Sequence, residues 1–155
     1  MSFSAKVKGE ICRYVDMSKE EALAQISAIM KVSGTLAFSG RQISFKITTE
    51  NPAAARLMFT LLKDYFSIHS KLMVKKSNSL KKNNIYMVVI TEDMGVKELL
   101  KTTGILREVD GIMSLDYTID DSLVDTETKK KSYIRGAFIG GGSISNPEKN
   151  YHLEF

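Results

Sequence analysis

The chain has 155 residues, 43% of them hydrophobic, which is enough apolar material for the core of one domain. Lysine and arginine number 22 against 18 acids, and the formal charge of +4 is too mild by itself to name a polyanion as partner. No apolar run approaches the roughly 18–20 residues of a membrane helix or opens the chain as a signal peptide would, and a single cysteine, Cys12, rules out an internal disulfide; no membrane and a reducing, cytoplasmic setting are the expectation.

Ser2 to Val15 reads as a leading amphipathic helix, with Phe3, Val7, Ile11 and Tyr14 or Val15 on one stripe. Ser18 and Glu21 fit a capping box that opens a second helix over about Lys19 to Ser33. Gly34 and Gly40 bracket a short strand, Thr35 to Ser39. Arg41 to Thr49 then alternates, with Ile43, Phe45 and Ile47 on one face and Gln42, Ser44, Lys46 and Thr48 on the other. Asn51-Pro52 is a helix start, and Leu57, Leu61, Leu62 and Tyr65 continue that helix to Phe66. Two more strands are expected at Ile68 to Lys76 and Ile85 to Thr91, joined by a turn-rich segment containing Lys81 and Lys82, and a short helix runs from Gly95 to Thr103. The order is helix, two strands, helix, two strands, helix. That order argues for an α+β fold with helices on one face of an antiparallel sheet and the other face open.

Asp110 to Thr128 is acidic and reads as a connection with an extended segment at Ile112 to Ile119. A further helix follows, closing on Ile134-Arg135-Gly136-Ala137-Phe138-Ile139-Gly140-Gly141-Gly142-Ser143-Ile144. Gly136, Ala137 and Gly140 share one side of it, a flat surface for close helix packing, and the glycines at 140–142 are expected to end the helix through left-handed backbone angles. The same layout occurs at Ile26 to Leu36, where Ala28 matches Gly136, Gly34 matches Gly142 and Ser33 matches Gly141. The two stretches are therefore two copies of one element.

The eleven residues Ile134 to Ile144 align without a gap to the LAGLIDADG motif of homing endonucleases. In that family two such helices pack side by side, and the acid before the last glycine of each holds the catalytic metal. Laid on this chain, those acid positions are Ser33 and Gly141, and neither supplies the negative charge that magnesium requires. Tyr133 to Phe138, Gly141-Gly142-Ser143, Asn146 to Lys149 and Tyr151 to Glu154, together with Ser2-Phe3-Ser4 and Lys8-Gly9-Glu10, resemble the WhiA family of DNA-binding regulators, degenerate relatives of those enzymes.

The resemblance implies a LAGLIDADG-like αββαββα repeat. It divides the chain into a leading helix at 1–17, a first repeat at 18–108, an acidic linker at 109–125 and the start of a second, incomplete repeat at 126–155. It also implies a non-enzymatic role, nucleoid association, and regulation of transcription linked to cell division or sporulation. Double-stranded DNA is the expected partner. The expected DNA-binding residues are Arg41, Ser44, Lys46, Thr48, Lys71, Lys75, Lys76, Lys81 and Lys82, because a two-stranded ribbon can enter the major groove with its lysines on phosphates. A second copy of the chain is a further expected partner, by dimerisation or by a swap through the incomplete repeat.

No metal or cofactor is expected: His69 and His152 are isolated, and Gly140 to Ser143 lacks the lysine of a phosphate-binding loop. Two rival readings stand. One is an interaction scaffold whose DNA contact belongs to a C-terminal helix-turn-helix domain of the kind WhiA proteins carry, and the other is a metal-dependent endonuclease with relocated acids.

Overall fold

The computed structural model describes residues 2–76, 78 and 83–155. Helix α1 (Phe3–Ile11) leads into α2 (Lys19–Ser33), followed by strands β1 (Gly34–Ser39) and β2 (Gln42–Thr49), helix α3 (Pro52–Phe66), strands β3 (Lys71–Lys76) and β4 (Asn84–Ile90), and helix α4 (Val96–Thr102). The four strands form one antiparallel sheet in the order β1-β2-β4-β3. Helices α2, α3 and α4 cover one of its faces. This is the α+β layering read from the sequence. Among the described residues no helix is long and apolar enough to cross a membrane.

Local chemistry explains where the helices begin. The Ser18 hydroxyl accepts from the Glu21 amide at 3.1 Å, and Glu20 and Glu21 place negative charge in the first turn of α2, at the positive end of its dipole. Asn51 Oδ1 accepts from the amides of Ala53 and Ala54 at 2.9 and 3.3 Å, with Pro52 at the first helical position of α3. The core then joins Ile26, Ile29 and Met30 of α2 to Phe45 and Ile47 of β2, Leu57, Met58, Leu61 and Leu62 of α3, and Val88 and Ile90 of β4. Phe45 is fully buried, and burying one such side chain stabilises the fold by about 2–3 kcal/mol.

The leading helix is shorter than its apolar stripe. It stops at Ile11, and Tyr14 and Val15 are about half exposed. Two tertiary contacts take the chain out of helix here. The Tyr65 hydroxyl donates to the Met17 carbonyl at 2.6 Å, and the Tyr14 ring lies under the Arg135 guanidinium at 4.7 Å. The front of α1 is tied down as well, because Ser4 Oγ both donates to the Ile144 carbonyl and accepts from the Ile144 amide.

The stretch read as an acidic linker is ordered. β5 (Leu106–Val109) and β6 (Ile112–Leu115) form a hairpin whose two-residue turn, Asp110-Gly111, has φ of 52° and 77°. Two consecutive left-handed residues make the turn that matches strand twist, and Asp-Gly supplies them readily. Arg107 then clamps the chain beyond the hairpin, with Nε donating to Asp116 at 2.8 Å and an Nη to Asp120 at 3.2 Å. Lys31 of α2 donates to the Thr118 carbonyl at 2.9 Å, and Leu123, in a 3-10 turn, is buried.

Helix α5 (Glu127–Gly141) packs along α2 in the most extensive helix pairing of the chain, and β7 (Ser143–Ile144) pairs with β8 (Leu153–Glu154) beyond it. The glycines that close α5 are not left-handed: Gly142 has φ −77° and ψ 156°, and Gly34, its counterpart after α2, is likewise extended. Space, not backbone freedom, requires glycine at these positions. A Cβ on Gly34 would lie 2.2 Å from the Phe45 ring, and one on Gly142 would lie 2.2 Å from the Phe138 ring.

Gly136→Ala places a Cβ 2.3 Å from the Gln25 carbonyl oxygen, so denaturant unfolding should show a loss of about 1–3 kcal/mol, whereas Gly9→Ala, with open space around it in α1, should gain about 0.5–1 kcal/mol. The Asp116 carboxyl is held below its ordinary value of 3.8 chiefly by hydrogen bonds from Thr118, with Arg107 adding, and Asp120 is held down chiefly by Ser122. A depressed native carboxylate stabilises fully above its unfolded value and loses that effect as the pH falls through the native one. Hydrogen-exchange protection of the Thr118 and Ser122 amides, which donate to these carboxylates, should therefore decline as the pH falls below the ordinary carboxyl value of 3.8.

Candidate nucleic-acid interface

Strand alternation and register decide which side chains reach the open face of the four-stranded sheet. Ile43, Phe45 and Ile47 point into the core, so Gln42, Ser44, Lys46 and Thr48 of β2 point away from it, and all but the half-buried Ser44 are exposed. Lys46 pairs with Val89 of β4, and Val89 pairs in turn with Lys71 of β3. Residues directly opposite share a face, so Lys71 joins Lys46, as does Lys75 four residues along β3. The structure thus gathers Ser44, Lys46, Thr48, Lys71 and Lys75 on one surface, and no strand residue of that surface is a carboxylate.

Lys76 does not belong to this set. It shares parity with Leu72 and Val74, which sit opposite Val88 and Tyr86 on the helix-covered side, so the same alternation that presents Lys75 turns Lys76 away. Arg41 lies outside the strands, in the turn after Gly40 at the tip of the β1–β2 hairpin, where Gly40 has φ 62°. Lys81 and Lys82 lie outside the described residues.

The sheet face does not end at the strands. A wide cleft runs from Thr48 and the front of α3 to Gly140 of α5, with α1 along one side. Lys6, Lys8, Arg13 and Arg56 line it against Glu10 and Glu50, which leaves an excess of positive charge beside the open face. Desolvation holds Lys8 below the ordinary lysine range, although a neighbouring Cys12 opposes this. Sequence periodicity could not find this cleft, because it depends on where α1 docks, and α1 is held by packing on α3 and α5 together with the Ser4–Ile144 hydrogen bonds.

The motif helices α2 and α5 meet through small residues. A Cβ on Gly136 would lie 2.9 Å from that of Ala28, and one on Gly140 would lie 3.3 Å from Ser33 Oγ and Val32. Ala28 is fully buried, and Ala137, one position round from Gly136, is half-buried. At the ends of these helices, the Ser33 hydroxyl donates back to the Ile29 carbonyl at 2.9 Å and Gly141 offers no side chain. These groups do not fit a divalent cation. Among the described residues no group of three or more His, Cys, Asp or Glu side chains is gathered to hold one elsewhere. His69 is exposed, and His152 is exposed and contacts Glu154 at 3.0 Å.

Cys12 caps α1 and is 8% exposed. Burial pushes its thiol up from 9.0 to about 11, against a smaller opposing effect of Lys8, so little thiolate forms near neutral pH.

Family models match most of the chain. The WhiA N-terminal LAGLIDADG-like domain matches residues 19–106, and the WhiA LAGLIDADG-like domain matches residues 130–155. A probable cell division protein WhiA of Clostridium perfringens (strain 13 / Type A) is 87% identical over 155 residues, covering 100% of this chain and 49% of that protein. The namesake in Clostridium beijerinckii is 79% identical over the same span. The chain therefore spans about half the length of the curated relatives it matches. The crystal structure of the N-terminal LAGLIDADG domain of DUF199/WhiA superimposes with a TM-score of 0.66 at 24% identity, covering 98% of this chain and 64% of that one, a likeness of fold.

At pH 8 a disulfide reagent should modify Cys12 in the native chain roughly a hundredfold more slowly than in the unfolded chain, as its raised value requires.

Proposed function

The chain belongs to the WhiA family, and from that premise we propose that it is a non-catalytic module that binds double-stranded DNA through the open face of its sheet. The observation that carries this reading is the convergence of Lys46, Lys71 and Lys75 with Ser44 and Thr48 on one face free of carboxylates. Lysines there neutralise phosphates, while short hydroxyl side chains reach base edges. The positive cleft beside α1 extends the same surface toward the second motif helix. The module serves transcriptional regulation in the nucleoid, tied to cell division, as the names of its Clostridium relatives indicate, and to sporulation.

The same helix ends support the non-catalytic reading. A two-metal cleavage needs carboxylates to hold the ions against the attacking and leaving oxygens, and Ser33 and Gly141 provide none.

A second reading, an interaction scaffold, is favoured by one feature. The tip of the β5–β6 hairpin exposes Val109 and Ile112 at 65% and 71%, and Ile134 of α5 is 57% exposed, so apolar surface is presented away from the sheet.

Salt titration separates the two. If the sheet binds duplex, affinity should fall linearly with log salt, and Lys46→Ala or Lys71→Ala should each flatten the slope by about one, with Lys76→Ala as the unaffected control. Salt-independent or absent binding would favour the scaffold. Plasmid incubated with the chain and magnesium or manganese should stay intact, and nicking that tracks the folded protein would overturn the non-catalytic reading.

A further inference from the structure

Strand β4 breaks the rule that an open sheet face is polar. After Asn84, its core-facing residues are Tyr86, Val88 and Ile90, as burial requires, yet the residues that alternate with them, Ile85, Met87 and Val89, are apolar too and half-buried. An all-apolar strand is the pattern of a sheet covered on both sides, and no helix among the described residues covers this side. Register extends the feature to the edge, because Met87 lies between Thr48 and Met73, and Met73 is 41% exposed.

Val89 stands between Lys46 and Lys71. Two strand spacings separate these lysines by about 10 Å, close to the roughly 12 Å width of a major groove. Lysines so placed reach the two phosphate walls while the strip between them faces the base edges. The apolar group that base edges present in the major groove is the C5 methyl of thymine.

We propose that Met73, Met87 and Val89 form a methyl-reading spine, so that the duplex this face takes is one with thymines across the contacted groove. The inference rests on the DNA-binding reading and adds to it what the lysines cannot supply, a preference among sequences. Charge selects the occupant: a strip bordered by lysines and free of carboxylates suits a polyanion that carries apolar groups.

The test compares two duplexes of one thymine-rich sequence, the second with deoxyuridine in place of thymidine. This exchange removes the methyl and leaves phosphates and hydrogen-bonding edges as they were. The thymine duplex should bind more tightly by about fourfold for each methyl buried, with the same salt slope for both. Val89→Thr and Met87→Gln should erase the difference while retaining the salt slope and the native circular dichroism. Equal affinity for the two duplexes with a steep salt slope would overturn the spine and leave the DNA-binding reading standing. Absence of binding to either would overturn both, and would assign the strip to a protein partner.

Discussion

Close approach of the α2 and α5 backbones is the constraint on which the rest depends. Gly136 leaves no room for a methyl group against the Gln25 carbonyl, and Ala28 supplies the facing small side chain. Helices that meet this closely are fixed in rotation as well as position, since any larger residue would force them apart. The rotation of α2 then settles which of its residues reach the sheet. Ile26, Ile29 and Met30 are driven into the core against Phe45 and Ile47, and the sheet is thereby left with one covered and one free face.

The connection between the motif helices acts as a brace. Arg107 gathers two carboxylates of the connection, Lys31 of α2 holds a carbonyl of the same loop, and Leu123 is buried, so the path from α4 to α5 is braced within itself and tied to α2. Surface ion pairs taken singly contribute little. Here they act alongside the tight Asp110-Gly111 turn and the caps at Asp120 and Thr126, which set the start of α5. Ser4 does the corresponding work at the front of the chain by joining α1 to β7. The cleft beside the open face is a product of that junction.

Loss of the acids and retention of the helix pair are separable because they draw on different atoms. Packing uses backbone and small side chains at Ala28, Gly136 and Gly140, whereas ion binding would have used carboxylates at Ser33 and Gly141. Nothing in the packing needs the acids, and removing like charges from neighbouring helix ends relieves repulsion there. A helix pair of this kind can therefore stand without the carboxylates that a metal site would need.

The order of elements, the caps at Ser18 and Asn51, and the alternation of β2 were legible from residues alone, because each depends on neighbours within a few positions. The family resemblance was legible at Ile134 to Ile144 for the same reason. The hairpin turn at Asp110-Gly111 carries its own local signal, although it lies within a stretch whose acidity is that of a linker. Other features were beyond any local reading. Repeat register equates Ile26 with Ile134, yet the first is fully buried and the second 57% exposed, since the four-stranded sheet backs α2 and not α5. Strand pairing across β2, β4 and β3 placed Lys71 with Lys46 and turned Lys76 away, a choice made by a partner strand and not by the residues beside it. Sequence determined the elements and the identity of the helix pair; tertiary structure alone decided which side chains share a surface, because burial and register belong to pairs of segments and not to either one.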